Sequence, residues 1–170
     1  WGAVTGTAKL LNVQITAPYD AFGDMLIFGD SKTEGYAVLL GQRYGDIIAG
    51  QYPERQVMIS GVGGANSIGA LNRLFYELDA MRPRAVLVNL GTNPGDEESY
   101  DANMATAVRM IRNAGAEPIV TTVATDATKS AAVKALGVKV VDFGQTMTSS
   151  GPGTARVTGL YAGVRPDDGQ

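Results

Sequence analysis

Five short apolar segments alternate with longer segments of helical periodicity, and this alternation limits the possible folds more than any other feature of the chain. The apolar segments are 25–28, 56–59, 85–88, 118–120 and 138–142. Apolar strands that alternate with helices are typical of a parallel sheet covered by helices on both faces. The alternation therefore predicts an α/β domain with a five-stranded parallel sheet.

The segments between these strands carry the spacing of amphipathic helices. The clearest series repeats at intervals of three and four residues and consists of Ile68, Leu71, Leu74, Phe75 and Leu78. A second apolar stripe predicts a helix over 35–49. Acidic residues at the start of 97–113 predict a third helix, since negative charge stabilises a helix N-terminus. Asp126 is predicted to cap a short helix that ends near Gly137.

The composition removes several classes of chemistry. The 170 residues contain no cysteine and no histidine. Without cysteine there is no disulfide scaffold, no thiolate nucleophile and no cysteine-held metal. Without histidine the chain lacks the usual general base near neutral pH and the commonest metal ligand. We therefore predict no cofactor and no metal site.

Charge and hydropathy argue against two kinds of partner. The chain has 17 acidic and 14 basic residues, a net charge of −3, which argues against a nucleic-acid-binding face. No apolar stretch approaches the roughly 20 residues of a membrane span. Residues 1–23, rich in Gly, Ala and Thr, are expected to be a lead-in segment from a longer chain, and residues 24–170 a single domain.

Three turns directly follow predicted strands and contain the residues best suited to chemistry. They are Gly29-Asp30-Ser31, Gly61 to Asn66, and Gly91-Thr92-Asn93. Ligands of open α/β sheets bind beyond the carboxyl ends of the strands, where these turns fall.

Each turn residue has an ordinary structural explanation when it is taken alone. Ser31 suits a helix cap, Gly63-Gly64 a tight turn, and Asn93 a turn or a cap. Together they offer a nucleophile, a backbone donor and an amide donor at neighbouring strand ends, which is the composition of an oxyanion hole for acyl transfer.

The same turns resemble the first three sequence blocks of the SGNH (GDSL-type) hydrolases. The matching segments are Phe28-Gly29-Asp30-Ser31, Gly61-Val62-Gly63-Gly64-Ala65-Asn66 and Leu90-Gly91-Thr92-Asn93. That family includes esterases, lipases, thioesterases and carbohydrate deacetylases. The resemblance, over about 24–170, implies a three-layer α/β/α, flavodoxin-like fold. It also implies that Ser31 is the nucleophile and that Gly64, Asn93 and the Ser31 N–H form the oxyanion hole.

The last family block departs from the pattern. SGNH hydrolases carry an Asp-x-x-His-Pro sequence there, whereas this chain has Ala162 at the aspartate position and Arg165 at the histidine position. Arginine stays protonated and cannot accept the serine proton. Loss of triad members leaves only residual catalysis. Arg165 suits an anion near Ser31 instead, with Asp30 as a second candidate binding residue; its alternatives are a solvated loop charge or a salt bridge to Asp30.

Residues 1–7, Trp1-Gly2-Ala3-Val4-Thr5-Gly6-Thr7, resemble a segment common in bacteriophage tail-fibre and tail-spike proteins. That resemblance implies a virion-associated or extracellular homotrimer. We expect a hydrolase-derived module that has lost its acid–base pair and recognises cell-surface carbohydrate. Two alternatives stay open: an active serine esterase or carbohydrate O-deacetylase that uses Ser31 with an unrecognised base, and a structural virion domain without a ligand.

Overall fold

The computed structural model describes residues 23–95, 98–123 and 126–143. Its five strands are β1 (Met25–Gly29), β2 (Val57–Gly61), β3 (Ala85–Asn89), β4 (Glu117–Thr121) and β5 (Lys139–Val141). All neighbouring strands pair in parallel, in the order β2-β1-β3-β4-β5. The predicted five-stranded parallel sheet is confirmed.

Five helices connect these strands within the described residues. They are α1 (Ser31–Glu34), α2 (Tyr44–Gln51), α3 (Ser67–Met81), α4 (Tyr100–Asn113) and α5 (Ala127–Lys134). The side chains of Asp30, Asn66 and Asp126 accept hydrogen bonds from backbone N–H groups in the first turns of α1, α3 and α5. The cap predicted at Asp126 is therefore present, and each such cap stabilises its helix by about 1 kcal/mol.

The predicted helix over 35–49 is correct only over 44–49, the first part of α2, and is wrong over 35–43. Helix α1 ends at Glu34, its C-cap Gly35 has a φ of 94°, and α2 begins only at Tyr44. The Asp46 carboxylate accepts hydrogen bonds from the backbone N–H groups of Gly41 and Arg43, so a new helix start forms there. The apolar stripe misled the prediction because Leu39 is 70% exposed rather than packed in a core.

The hydrophobic core lies between the sheet and the helices α3 and α4. Its most deeply buried residues, at most 3% exposed, include Leu26, Phe28, Val86, Val88 and Val120 from the strands with Leu74, Met104, Val108 and Ile111 from the helices. Full burial of one such side chain contributes about 1.5–3 kcal/mol. Helix α2 packs on the opposite side of β2, where Gly45 lies against Ile59.

The register of the three central strands sets the position of the loops that follow them. Gly29 pairs with Gly61 on one side and with Asn89 on the other. The loops after β1, β2 and β3 therefore begin side by side at one edge of the sheet. Within the described ranges, no helix is long and apolar enough to cross a membrane.

Candidate active site

The turn between β1 and α1 is locked by the buried carboxylate of Asp30. Asp30 is fully buried. Its Oδ1 accepts a hydrogen bond from Lys32 N at 3.0 Å, and its Oδ2 accepts one from Thr92 Oγ1 at 2.7 Å. A buried charge is costly without such partners. The carboxylate therefore ties the turn after β1 to the loop after β3.

The peptide unit between Gly29 and Asp30 is held from both neighbouring strands. The Gly29 carbonyl oxygen accepts hydrogen bonds from Val62 N at 3.2 Å and from Arg73 Nη2 at 2.8 Å. The N–H of Asp30 donates to Asn89 O at 3.3 Å. These contacts fix the backbone immediately before the candidate nucleophile.

Ser31 is the first residue of α1 and is half-buried. Its Oγ makes no hydrogen bond within the part of the chain that the structure describes. A Cβ at Gly61 would overlap the backbone of Thr33 and Glu34, so only glycine lets α1 lie directly on the end of β2. Ser31 thus begins a helix directly after a strand, and the N-cap of that helix is Asp30 rather than Ser31.

Gly64 lies in the loop after β2 with an open face. Its φ of 74° is in the left-handed region, and a Cβ there would meet no atom within 4 Å. Glycine adopts this conformation without steric cost. The backbone around Gly64 is thus accessible to a ligand from the side where a Cβ would stand.

Asn93 joins the loop after β3 to the loop after β2. Its Nδ2 donates a hydrogen bond to Ala65 O at 2.8 Å. A side-chain amide nitrogen carries two N–H groups, so a second donor is left. Ser31, Gly64 and Asn93 thus lie on three adjacent, mutually bonded loops, and their roles stay predictions. Ala162 and Arg165 lie outside the described residues.

Lys32 places a cation beside this turn. Burial lowers the pKa of the Lys32 ammonium, and the Asp30 carboxylate opposes this shift. Within the described residues, Lys32 Nζ makes no hydrogen bond or ion pair. In the same ranges, no cluster of three or more acidic, histidine or cysteine side chains is arranged to hold a metal ion.

A polar network lies below the turn, at the carboxyl ends of β3 and β4. The hydroxyls of Thr33 and Tyr44 are 2.6 Å apart, Asn89 Nδ2 donates to Tyr44 OH at 3.5 Å, and Thr121 Oγ1 donates to Asn89 Oδ1 at 3.2 Å. Burial raises the pKa of the Tyr44 hydroxyl, so this phenol stays neutral around pH 7. The network links α1 and α2 to the ends of β3 and β4 beneath the turn.

Sequence reasoning missed two residues that hold the site together, Thr92 and Arg73. Thr92 stands inside the third turn, where its hydroxyl is a visible donor next to Asn93. Arg73 follows no such turn, and its only signal is a cation in the middle of an amphipathic helix, one residue before the buried Leu74.

The chain matches the GDSL-like lipase/acylhydrolase family over residues 27–164. This match spans most of the chain, and the protein belongs to that family. The blocks around Ser31, Gly64 and Asn93 fall within the matched residues. A comparison with curated proteins found no match.

Solved structures of the same fold are similar to this chain at low sequence identity. AlinE4, an SGNH-hydrolase family esterase, has a TM-score of 0.59 and 18% identity, covering 69% of this chain and 74% of its own. The psychrotrophic esterase EstA from Pseudoalteromonas sp. has a TM-score of 0.60 and 19% identity, covering 72% and 79%. A GDSL-like lipase from Bacteroides thetaiotaomicron has a TM-score of 0.57 and 18% identity, covering 73% and 70%. At these identities the similarity shows the SGNH-hydrolase fold alone.

Proposed function

We propose that this chain is a GDSL-hydrolase-derived module that binds acylated or anionic carbohydrate on a cell surface and hydrolyses esters poorly or not at all. One observation carries the proposal: three bonded loops bring Ser31, Gly64 and Asn93 to neighbouring strand ends, in a chain without histidine. This arrangement supports the acyl-binding half of a serine hydrolase site, and the chain has no histidine to serve as the usual proton acceptor.

The free donors of the three loops suit a carbonyl or carboxylate oxygen. The backbone N–H groups of Ser31 and Gly64 donate no hydrogen bond within the described residues, and Asn93 has a second amide N–H. Donors placed in this way stabilise the negative charge that develops on an acyl oxygen, and each contributes about 10²–10³ to the rate of an active enzyme. In a chain without a base, the same donors serve ground-state binding of the acyl group.

Arg165 is the residue we propose for charge recognition. It stands at the family's histidine position, and its guanidinium binds carboxylate or sulfate through paired hydrogen bonds. With Ala162 at the aspartate position, that position carries no carboxylate to orient a base. The combination favours ligands such as uronates or sulfated sugars as well as O-acetylated ones.

A glycan array that includes O-acetylated, sulfated and uronate-containing sugars tests this proposal. We expect binding to at least one of these classes and a loss of at least tenfold in affinity in Arg165→Ala and in Asn93→Leu. Asn113→Leu, at the distant end of α4, is the matched control and is expected to bind normally. Absence of binding to every class contradicts the proposal and favours a structural virion domain.

An active serine ester hydrolase is the second candidate, and the half-buried Ser31 Oγ, which makes no hydrogen bond within the described residues, favours it. Here a base that the described residues do not identify accepts the Ser31 proton while Oγ attacks the ester carbon, and it returns that proton to the departing alkoxide. Water then hydrolyses the acyl-serine. In this case Ser31→Ala abolishes ester hydrolysis, whereas Lys139→Arg, at an exposed position in β5, preserves it.

We further propose that the module belongs to a bacteriophage tail fibre, a tail spike or a similar extracellular assembly, as a homotrimer. The resemblance of residues 1–7 supports this placement; these residues lie outside the described part of the chain. Light scattering of the purified chain measures the assembly directly. The mass of three chains agrees with the proposal, and the mass of one chain at micromolar concentration contradicts trimer formation by this segment.

A further inference from the structure

We propose that Arg73 is a positioning residue of the acyl-binding site. Its guanidinium holds the ends of β1 and β2 in one fixed relation, so that Ser31 and Gly64 face the same acyl oxygen. The inference rests on the proposed function for its link to ligand binding, but the contacts that carry it belong to the described strands and α3.

The guanidinium of Arg73 bridges two neighbouring strands at their carboxyl ends. Nη2 donates to Gly29 O at 2.8 Å, Nη1 donates to Ser60 O at 3.3 Å, and Nη1 also contacts Ser60 Oγ. The planar fork of arginine allows both carbonyl oxygens to be held at once, whereas a lysine ammonium lacks this paired, fixed geometry. The bridge lies where β1 and β2 leave the sheet.

Two further groups, the Phe28 ring and the Glu77 carboxylate, hold the guanidinium in this orientation. Its central carbon lies 4.0 Å from the centroid of the Phe28 ring, a cation–π arrangement. Glu77 Oε1 lies 2.9 Å from Nη1 and also accepts a hydrogen bond from Ser60 Oγ at 2.8 Å. The Arg73 side chain is only 22% exposed. A charge held by this many partners cannot move freely to another position.

These contacts reach the candidate chemistry through the backbone. The carbonyl oxygen of Gly29 that accepts from Arg73 also accepts from Val62 N, which begins the loop of Gly64. The next peptide N–H along β1, that of Asp30, donates to Asn89 O. The Arg73 guanidinium therefore stabilises the point at which the loops after β1 and β2 are joined.

If Arg73 only stabilised the fold, an apolar side chain at position 73 would do so at a lower desolvation cost. Replacement of a buried ion pair by well-packed apolar residues is often neutral or stabilising. The pair also leaves Glu77 Oε2 as a buried oxygen without a hydrogen bond among the described residues. An arrangement with this cost is explained by what Arg73 holds, namely the two carbonyl oxygens of Gly29 and Ser60.

Amide hydrogen exchange on the full chain tests the positioning role without reference to activity. In Arg73→Lys, we expect exchange at the N–H groups of Asp30 and Val62 to accelerate at least tenfold, while exchange at Val120 in β4 stays unchanged. Arg109→Lys is the matched control, because Arg109 is exposed on α4 and bonds Thr106 within that helix. Unchanged exchange at Asp30 and Val62, or equal acceleration at all three amides, overturns the proposal.

A double variant that removes both charges provides a second test in case Arg73→Lys does not fold. Arg73→Met combined with Glu77→Gln removes both charges, so no unpaired carboxylate is left buried. The same local acceleration of exchange is expected in this double variant. Its absence in a folded double variant contradicts the role of the guanidinium.

Binding of methylphosphonate, an anion whose binding needs no proton transfer, links positioning to the acyl-binding site. In Arg73→Lys, we expect its dissociation constant to rise at least tenfold, whereas Arg109→Lys leaves it unchanged; an unchanged constant in Arg73→Lys overturns the link to the site. If the unaltered chain does not bind methylphosphonate, the proposed acyl site is contradicted, and accelerated exchange still establishes the loop-fixing role of Arg73.

Discussion

Thr92 Oγ1 donates a hydrogen bond of 2.7 Å to Asp30 Oδ2. The two residues lie 62 positions apart in the chain, and this bond joins the turn that begins α1 to the loop that carries Asn93. Since Asp30 is fully buried, its carboxylate depends on such donors. The candidate site is therefore held together by a buried charge below its surface.

Thr92→Val is expected to destabilise the fold. Valine keeps the shape of the side chain but removes one donor from the buried Asp30 carboxylate, a loss of about 1–3 kcal/mol. Urea denaturation followed by circular dichroism measures the change. Thr106→Val is the control, since the exposed hydrogen bonds of Thr106 Oγ1, to Ala102 O and from Arg109 Nη2, stay within its own helix. Equal stability of the two variants would contradict the role assigned to Thr92.

Gly61→Ala is expected to be strongly destabilising. The added Cβ overlaps the backbone of Thr33 and Glu34, so α1 must move away from the sheet, and forced packing of this kind costs about 1–3 kcal/mol or more. Gly50→Ala in α2 is the control because a Cβ there meets nothing within 4 Å, and alanine favours a helix by about 1 kcal/mol. In thermal unfolding, only Gly61→Ala should have a lower Tm than the unaltered chain. A Tm of Gly61→Ala at or above that of the unaltered chain excludes the close approach of α1 to the end of β2.

Lys32 should make stability depend on pH. Its pKa is lowered in the folded state, so the unfolded chain binds more protons in the window below the usual lysine value of about 10.4. Stability therefore rises as pH increases through the lowered folded pKa toward that value. Lys32→Met removes this rise of stability with pH and is expected to be more stable than the unaltered chain near pH 7.

Urea unfolding between pH 7 and about 10 measures this dependence. Above about pH 10 the raised pKa of Tyr44 acts in the opposite direction, because stability is lost as pH rises through that folded pKa. Lys139→Met, at an exposed position in β5, is the control and should keep the pH slope of the unaltered chain. A Lys32→Met variant with the same slope as the unaltered chain would rule out the burial of the ammonium.

The sheet and the cap at Asp126 could be predicted from the sequence because their signals are local. Apolar runs and the residues that end them lie within a few positions of each other, and Asp126 stands directly before the helix that it caps. The segment 35–49 could not be predicted in this way. Its apolar residues Leu39 and Leu40 are exposed, so periodicity there does not report a buried face.

The residues of the candidate site that directly follow strands could be predicted from the sequence. Arg73 and Thr92, which hold those residues in place, could not. Ser31, Gly64 and Asn93 are placed by the rule that ligands bind at the carboxyl ends of parallel strands. The bond from Arg73 to Gly29 spans 44 positions, and the bond from Thr92 to Asp30 spans 62. Such contacts depend on the packing of α3 and the loop after β3 against β1, which no local pattern encodes.

We propose that the acyl-binding half of a serine hydrolase site persists in this chain without the proton transfer. Hydrolysis of p-nitrophenyl acetate by the unaltered chain, by Ser31→Ala and by Ala162→Asp combined with Arg165→His separates this proposal from an active hydrolase. We predict equal, slow rates for the first two proteins and a rate at least 10²-fold higher for the double variant, lost again when Ser31→Ala is added. Rapid hydrolysis by the unaltered chain that disappears in Ser31→Ala would contradict the claim.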